Sequence, residues 1–338
     1  MSTEVGWGIV GTGGIATRMA SALQEAEGAT LVAVSGRTPE RAGELGERFG
    51  VEAHSEYAAL LGDPRVELVY VATPTHLHAE HALAAIEAGK HVLVEKPMAL
   101  SASDARAMAD AAAGAGVRLG VGFHLRCHPV HRKMRELVVA GELGDVVLAQ
   151  ALWGFYSADW SRDSWKMDPE RAGAGSLAGL GVHLLDLVPW LVGREVVEVS
   201  AMADGPNEDI PVEFLTVALL RLAGGEIGEV ISSRRLHGTD DDVTVYGERG
   251  RLRGRGTATT EAAGSLEVRT DGAEEVRELP LRDLYALEAE ACSGAVREGC
   301  DFPASAEDGV RSVELTLAVL ESARAGSSVR LGERHPTG

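Results

Sequence analysis

The stretch "VGWGIVGTGGIATRMASAL" near the amino terminus constrains the fold more than any other part of the chain. An apolar run enters a glycine turn, and apolar residues then recur at helical spacing, so the segment reads as strand, tight turn and helix. The spacing Gly11-x-Gly13-x-x-Ala16 fits one use of that unit, binding the pyrophosphate of a dinucleotide. Gly11 permits the turn and Gly13 lets the backbone approach a phosphate. Thr12, Gly14 and Ile15 complete the loop, and Ala16 keeps the helix close to the strand. A phosphate held there rests on the amides of the helix N-terminus.

The unit then repeats. A second strand, "TLVAVSG", runs into "SGRTPERA", where a site selective for NAD sets an acid against the ribose hydroxyls. No acid stands there. Ser35 and Thr38 offer hydroxyls, Gly36 makes room, and Arg37 can pair with an extra phosphate. The expected cofactor is therefore NADP(H), with NAD(H) as the alternative; Arg37 as a plain surface charge is the competing reading. A third strand, "VELVYVATP", ends in Thr73 and Pro74, which are expected beside the nicotinamide, and His78 in the helix that follows is assigned to the cofactor side. His76, His78 and His81 lack the cysteine or carboxylate company of a ligand set, so no metal is expected.

The fourth strand, in "HVLVEKPMALS", carries Val92, Leu93 and Val94 and then places Glu95 and Lys96 before Pro97. A lysine at the carboxyl end of a buried parallel strand stands at the crevice where open α/β sheets bind their ligands. A further helix, "SASDARAMADAAAGAG", and the strand "VRLGVGF" complete a doubly wound domain over residues 1–123. Residues 124–338 are expected to form a second, substrate-binding and oligomerising domain; 338 residues suffice for two cores.

Composition narrows the class. The formal charge of −19 argues against nucleic-acid binding and against adhesion to anionic membranes. Cys127, Cys292 and Cys300 form no paired framework and no CxxC, which fits a reducing, cytoplasmic setting. No signal segment is evident, and no stretch reads as long enough to span a bilayer.

In the second domain "HLRCHPVHRKMRELVVAGELGD" starts a helix at Pro129 and ends it in Gly141 to Gly144. Arg126 there suits either a substrate oxygen or a structural ion pair. "GFYSADWSRDSWKMDPERAGAG", with Tyr156 and Trp165, has the aromatic and polar content of a sugar-binding loop, although an ordinary packed loop shares it. "SLAGLGVHLLDLVPWLVG" reads as an apolar helix bearing His183 and Asp186. Several strands follow between residues 195 and 279, with "ERGRLRGRG" taken as a solvated turn, and two helices close the sequence.

The glycine turn, "ATPTHLHAEHALAAIEAGKHVLVEKP" and "GAGSLAGLGVHLLD" together resemble the glucose-fructose oxidoreductase, inositol dehydrogenase and MocA-like family over nearly the whole chain. That resemblance implies an N-terminal Rossmann domain and a C-terminal α/β domain with a large, open, mostly antiparallel sheet. It implies NAD(P)-dependent interconversion of hydroxyl and carbonyl groups on a sugar, cyclitol or related small molecule, in a dimer or tetramer. Lys96 then lies between nicotinamide and substrate, Glu95 holds the local geometry, His183 is the acid or base, and His124 and Arg126 sit where relatives place substrate contacts. Tyr156 and His124 are reserve proton carriers. One departure matters: relatives carry an aspartate four residues before the histidine, and here that position is Gly179. Without it, His183 must borrow another carboxylate such as Asp186 or work without one, which favours a reductase over a close inositol dehydrogenase equivalent. A non-redox sugar or nucleotide sensor, and a redox-neutral lyase or epimerase using bound nicotinamide transiently, are the competing functions.

Overall fold

A computed structural model describes residues 4–157, 164–205, 211–270 and 272–332. The chain packs as two units, Met1–His124 with Arg282–Val313, and Leu125–Leu281 with Glu314–Gly338. A single cut near residue 123 therefore misses a return of the chain to the first unit.

In that unit β1 (Val5–Val10), β2 (Ala29–Ser35), β3 (Glu52–His54), β4 (Leu68–Val71), β5 (His91–Val94) and β6 (Leu119–Val121) form one sheet in the order β3-β2-β1-β4-β5-β6. Every pairing is parallel. This is the doubly wound Rossmann order, whose direction reverses between β1 and β4, the place where such sheets bind ligands at their carboxyl ends. Both faces are covered, so β1 and β4 are buried along their whole length and need apolar side chains at every position. The helix Leu284–Glu298 supplies part of that cover. Asp283 caps it by accepting from the amides of Tyr285 and Ala286, and its Tyr285, Ala289 and Cys292 enter the core around Trp7 and Ile9. The indole N–H of Trp7 donates to Ser293 Oγ at 2.9 Å, which satisfies a polar group inside that core.

The second unit holds β7 (Val146–Gly154), β8 (Val196–Ala203), β9 (Leu215–Leu222), β10 (Ile227–Ser233), β11 (Val243–Gly247), β12 (Gly250–Arg255), β13 (Ser265–Thr270), β14 (Ala273–Arg277) and β15 (Val329–Arg330). They form a nine-stranded open sheet in the order β14-β13-β12-β11-β7-β10-β9-β8-β15. Only the β7–β10 pair among the described strands is parallel. The expected turn at "ERGRLRGRG" is instead the strand β12. Its arginines are neutralised across the ladder, Arg251 on Glu267 at 3.3 Å and Arg253 on Asp242, so charge that suggested solvent is matched within the sheet.

Two helices, Pro129–Val139 and Val182–Val192, pack on the inner face of this sheet, where Val188 meets Gly228, and Val130 and Met134 meet Gly254. Contrary to the sequence reading, Pro169–Val192 is long and apolar enough by length and composition to cross a membrane, but most of its apolar window is buried inside the unit. The outer face carries Met202, Val217, Ile231 and Leu152 in register across four neighbouring strands, with Met202 79% exposed.

Candidate active site

The glycine turn closes as its spacing demands. Gly11 sits at φ +123°, and a Cβ there would collide with the carbonyl of Ala72, so no other residue fits. Gly13 precedes the helix Gly14–Ala22, and a Cβ on it would meet nothing within 4 Å. Exposed amides at a helix start, with open space before them, fit a dinucleotide pyrophosphate. At the end of β2, Ser35 is buried, Gly36 closes against Thr12, and Thr38 is half-buried. Arg37 is exposed and has no ion-pair partner among the described residues.

Thr73, Pro74 and His78 meet the Lys96 turn. The His78 ring is buried, with Nε2 2.8 Å from the Thr73 carbonyl and Nδ1 2.8 Å from the Pro97 carbonyl. Both contacts suit a doubly protonated imidazole, a charge that burial opposes by pushing the ring down to about 4. His78 thus ties the end of β4 to the end of β5. The metal question arises elsewhere: Glu52, His54 and Asp63 bring their ligand atoms within 4.8 Å of one another. Arg65 already pairs with both of those carboxylates, so the cluster supplies its own cation.

Behind Lys96 lies a group that the sequence did not reveal. The Lys96–Pro97 peptide is cis. Glu95 is buried, takes the Tyr70 hydroxyl on Oε1, and accepts the Lys96 amide on Oε2 at 3.1 Å. Glu288, from the returning helix, is 2% exposed, and its Oε2 has no hydrogen-bond partner among the described residues. A Cβ on Gly122 would lie 3.6 Å from Glu95 Oε1 and 3.8 Å from Glu288 Oε2, so the two carboxyl groups flank one point. Burial, with the Glu95 charge adding to it, pushes Glu288 well above its ordinary 4.5. Glu288 therefore holds its proton while Glu95 is hydrogen-bonded as a carboxylate.

The sign of the pH effect follows. Below the unfolded value of 4.5 both states hold the proton, and the full stability is present. As pH rises, the unfolded chain releases the proton while the folded chain keeps it, so stability falls by about 1.4 kcal/mol per pH unit until Glu288 itself ionises. Glu288→Gln cannot ionise. It is expected to melt above wild type at about pH 8 and to converge with it near pH 4, read by thermal unfolding across pH; a pH-independent difference would show that Glu288 ionises normally in the fold.

In the second unit His183 opens the helix Val182–Val192 after a π-helical turn, Leu177–Gly181. It is buried, with its ring 5.4 Å from Trp153. Asp186 is not available to it. Arg126 Nε and Nη2 grip the two Asp186 oxygens at 2.8 and 2.6 Å, both side chains are buried, and Arg126 also lies over the Trp190 ring. The structural ion pair is thus the reading of Arg126 that the geometry favours. His124 belongs to the first unit, buried and stacked on Tyr285 at 4.9 Å. Tyr156 is 51% exposed and stacks on His237 at 3.9 Å; Trp165 is half-buried in a short turn, Trp165–Met167. Residues 158–163 of the aromatic loop lie outside the described residues.

Gly179 explains itself in the same unit. A Cβ at Gly179 would run into the guanidinium of Arg234, from just beyond β10, so a cation fills the place where relatives have an aspartate. Arg234 was missed by the sequence reading because only the fold brings residues 179 and 234 together.

Residues 5–123 match the family model described as an oxidoreductase family with an NAD-binding Rossmann fold, and residues 131–253 match the GFO/IDH/MocA C-terminal domain. The chain belongs to the GFO/IDH/MocA oxidoreductase family. It is an NAD(P)-dependent oxidoreductase of the kind that interconverts carbonyl and hydroxyl groups on sugars and cyclitols. Among GFO/IDH/MocA relatives, the 1,5-anhydro-D-fructose reductase of Ensifer adhaerens is 31% identical over 96% of this chain and 98% of its own length. The crystal structure of an aldose-aldose oxidoreductase from Caulobacter crescentus complexed with glycerol superimposes with a TM-score of 0.90 at 27% identity, covering 97% of this chain and all of that one. Levoglucosan dehydrogenase in complex with NADH and levoglucosan gives 0.85 at 26% identity, covering 98% of this chain and 100% of the other.

Proposed function

We propose that this enzyme is an NADP(H)-preferring reductase of a small polyhydroxylated carbonyl compound, with Lys96 and His183 as its catalytic residues. The observation that carries the reading is the Lys96 turn: the end of β5 fixes a lysine at the carboxyl edge of the sheet, with its own amide held by Glu95 and its proline braced by His78. A bound nicotinamide supplies the hydride. Gly11, Thr12, Gly13, Gly14 and Ile15 hold its pyrophosphate; Thr73 and Pro74 line the nicotinamide side. The Lys96 ammonium stabilises negative charge growing on the carbonyl oxygen, and His183 delivers the proton to that oxygen. Oxidation reverses these roles.

Cofactor preference rests on the end of β2, where Ser35, Gly36, Arg37 and Thr38 present hydroxyls and a cation and no carboxylate. A charge-assisted contact from Arg37 to the additional phosphate favours NADPH over NADH by roughly ten- to a hundredfold. Fluorescence titration of nucleotide-stripped protein with both cofactors tests this, and Arg37→Ala is expected to erase most of the ratio. Equal affinities in wild type, or a ratio untouched by Arg37→Ala, would refute the preference.

We also propose a homo-oligomer formed through the second unit's sheet. The in-register row of Met202, Val217, Ile231 and Leu152 gives its outer face an apolar stripe that self-association would cover. Light scattering is expected to return a dimer or tetramer, and a monomer at micromolar concentration would overturn it. Three free cysteines, two of them buried, support a cytoplasmic location.

A further inference from the structure

The proposed chemistry leaves one charge unused. We infer that Arg234 is a specificity-determining residue that receives an anionic group, a carboxylate or phosphate, carried by the sugar substrate; the inference rests on the sugar-oxidoreductase reading above. The argument begins with position. Arg234 lies over Gly179, four residues before His183, and only the absence of a side chain at 179 makes room for its guanidinium. An aspartate there would meet the cation directly and cancel it, so glycine at 179 and arginine at 234 form one arrangement.

Orientation comes next. The backbone N–H of Arg234 donates to the Phe214 carbonyl at 2.9 Å, and the guanidinium lies 5.5 Å from the Phe155 ring centre. Phe155 is 40% exposed, which puts this cation–π pair at an accessible edge of the unit. A planar fork held against an aromatic face is preorganised for bidentate contact with a carboxylate or phosphate.

Charge completes the case. Burial pushes Arg234 down to about 10, which still leaves it protonated at neutral pH. The acid that attracts it, Glu213, spends its own oxygens on the amides of Gly175 and Leu177 at 2.9 to 3.0 Å, and burial raises that carboxyl. A local cation of this kind matters in a chain of net charge −19, which repels an anionic substrate at long range and can admit one only by a specific contact.

The test is equilibrium binding to the full-length protein saturated with NADP⁺, using matched neutral, carboxylated and phosphorylated forms of glucose, galactose and mannose. Wild type is expected to bind an anionic form at least about tenfold more tightly than its neutral counterpart. Uronate over sugar phosphate assigns a carboxylate, and the reverse assigns a phosphate. The ratio is expected to fall to near unity in Arg234→Met, to persist in part in Arg234→Lys, and to vanish in Gly179→Asp, which neutralises the cation in place should Arg234→Met fail to fold. Preference for neutral sugars in wild type, or an unchanged ratio in both Arg234→Met and Gly179→Asp, overturns the inference and leaves the sugar reading standing. Binding of no sugar by the nucleotide-saturated protein overturns both.

Discussion

Lys96→Met is expected to lower turnover by about 10²- to 10⁴-fold while nicotinamide affinity stays within a few-fold of wild type. The asymmetry is the point of the experiment. Methionine keeps most of the length and apolar surface of the lysine stem, and the Glu95 contact that shapes the turn is made by the backbone amide of residue 96, which the substitution preserves. What is lost is the ammonium, so a fall confined to kcat assigns it to charge developing on the oxygen. His183→Ala is expected to fall within the same range and to flatten the acid–base limbs of the pH–rate profile. Lys96→Met with weakened cofactor binding and normal kcat at saturation would make the lysine a nucleotide ligand, and normal turnover in both variants would dismiss the assignment.

Arg126→Met is expected to destabilise the protein by about 3–5 kcal/mol, because it strands Asp186 as an uncompensated buried carboxylate. The two-point grip at 2.8 and 2.6 Å inside the second unit is what sets that figure. Arg126→Met with Asp186→Leu removes both charges and is expected to recover most of the loss, a coupling that a double-mutant cycle reads directly from denaturant unfolding. If Arg126→Met instead raised KM for the sugar and left stability alone, Arg126 would be a substrate residue after all.

The first sheet was legible because its signals are local. Each strand ends in a turn whose glycine, proline or charge follows within a few residues, and a parallel strand covered on both faces shows itself as an unbroken apolar run such as Val92 to Val94. The site was legible to the same depth. Gly11 and Gly13 are explained by their own backbone positions, whereas Arg234 and Glu288 acquire meaning only from Gly179 and Glu95, residues 55 and 193 positions away in the chain. Asp186 failed as a partner for His183 for the same reason, since its arginine enters from residue 126. Strand β12 was hidden by its arginines, because nothing in "ERGRLRGRG" announces that Asp242 and Glu267 stand opposite them.

The returning helix Leu284–Glu298 has a consequence for how the protein is made. Trp7 in the first strand waits for Ser293, and the carboxylate behind Lys96 waits for Glu288, so neither is complete until nearly the whole message has been read. The ribosome thus releases the intervening sheet before the nucleotide-binding core can close. A nascent chain stalled at residue 281 holds every glycine of the dinucleotide turn yet lacks the lid of its own hydrophobic interior, so its first unit is the part that most needs shelter during synthesis.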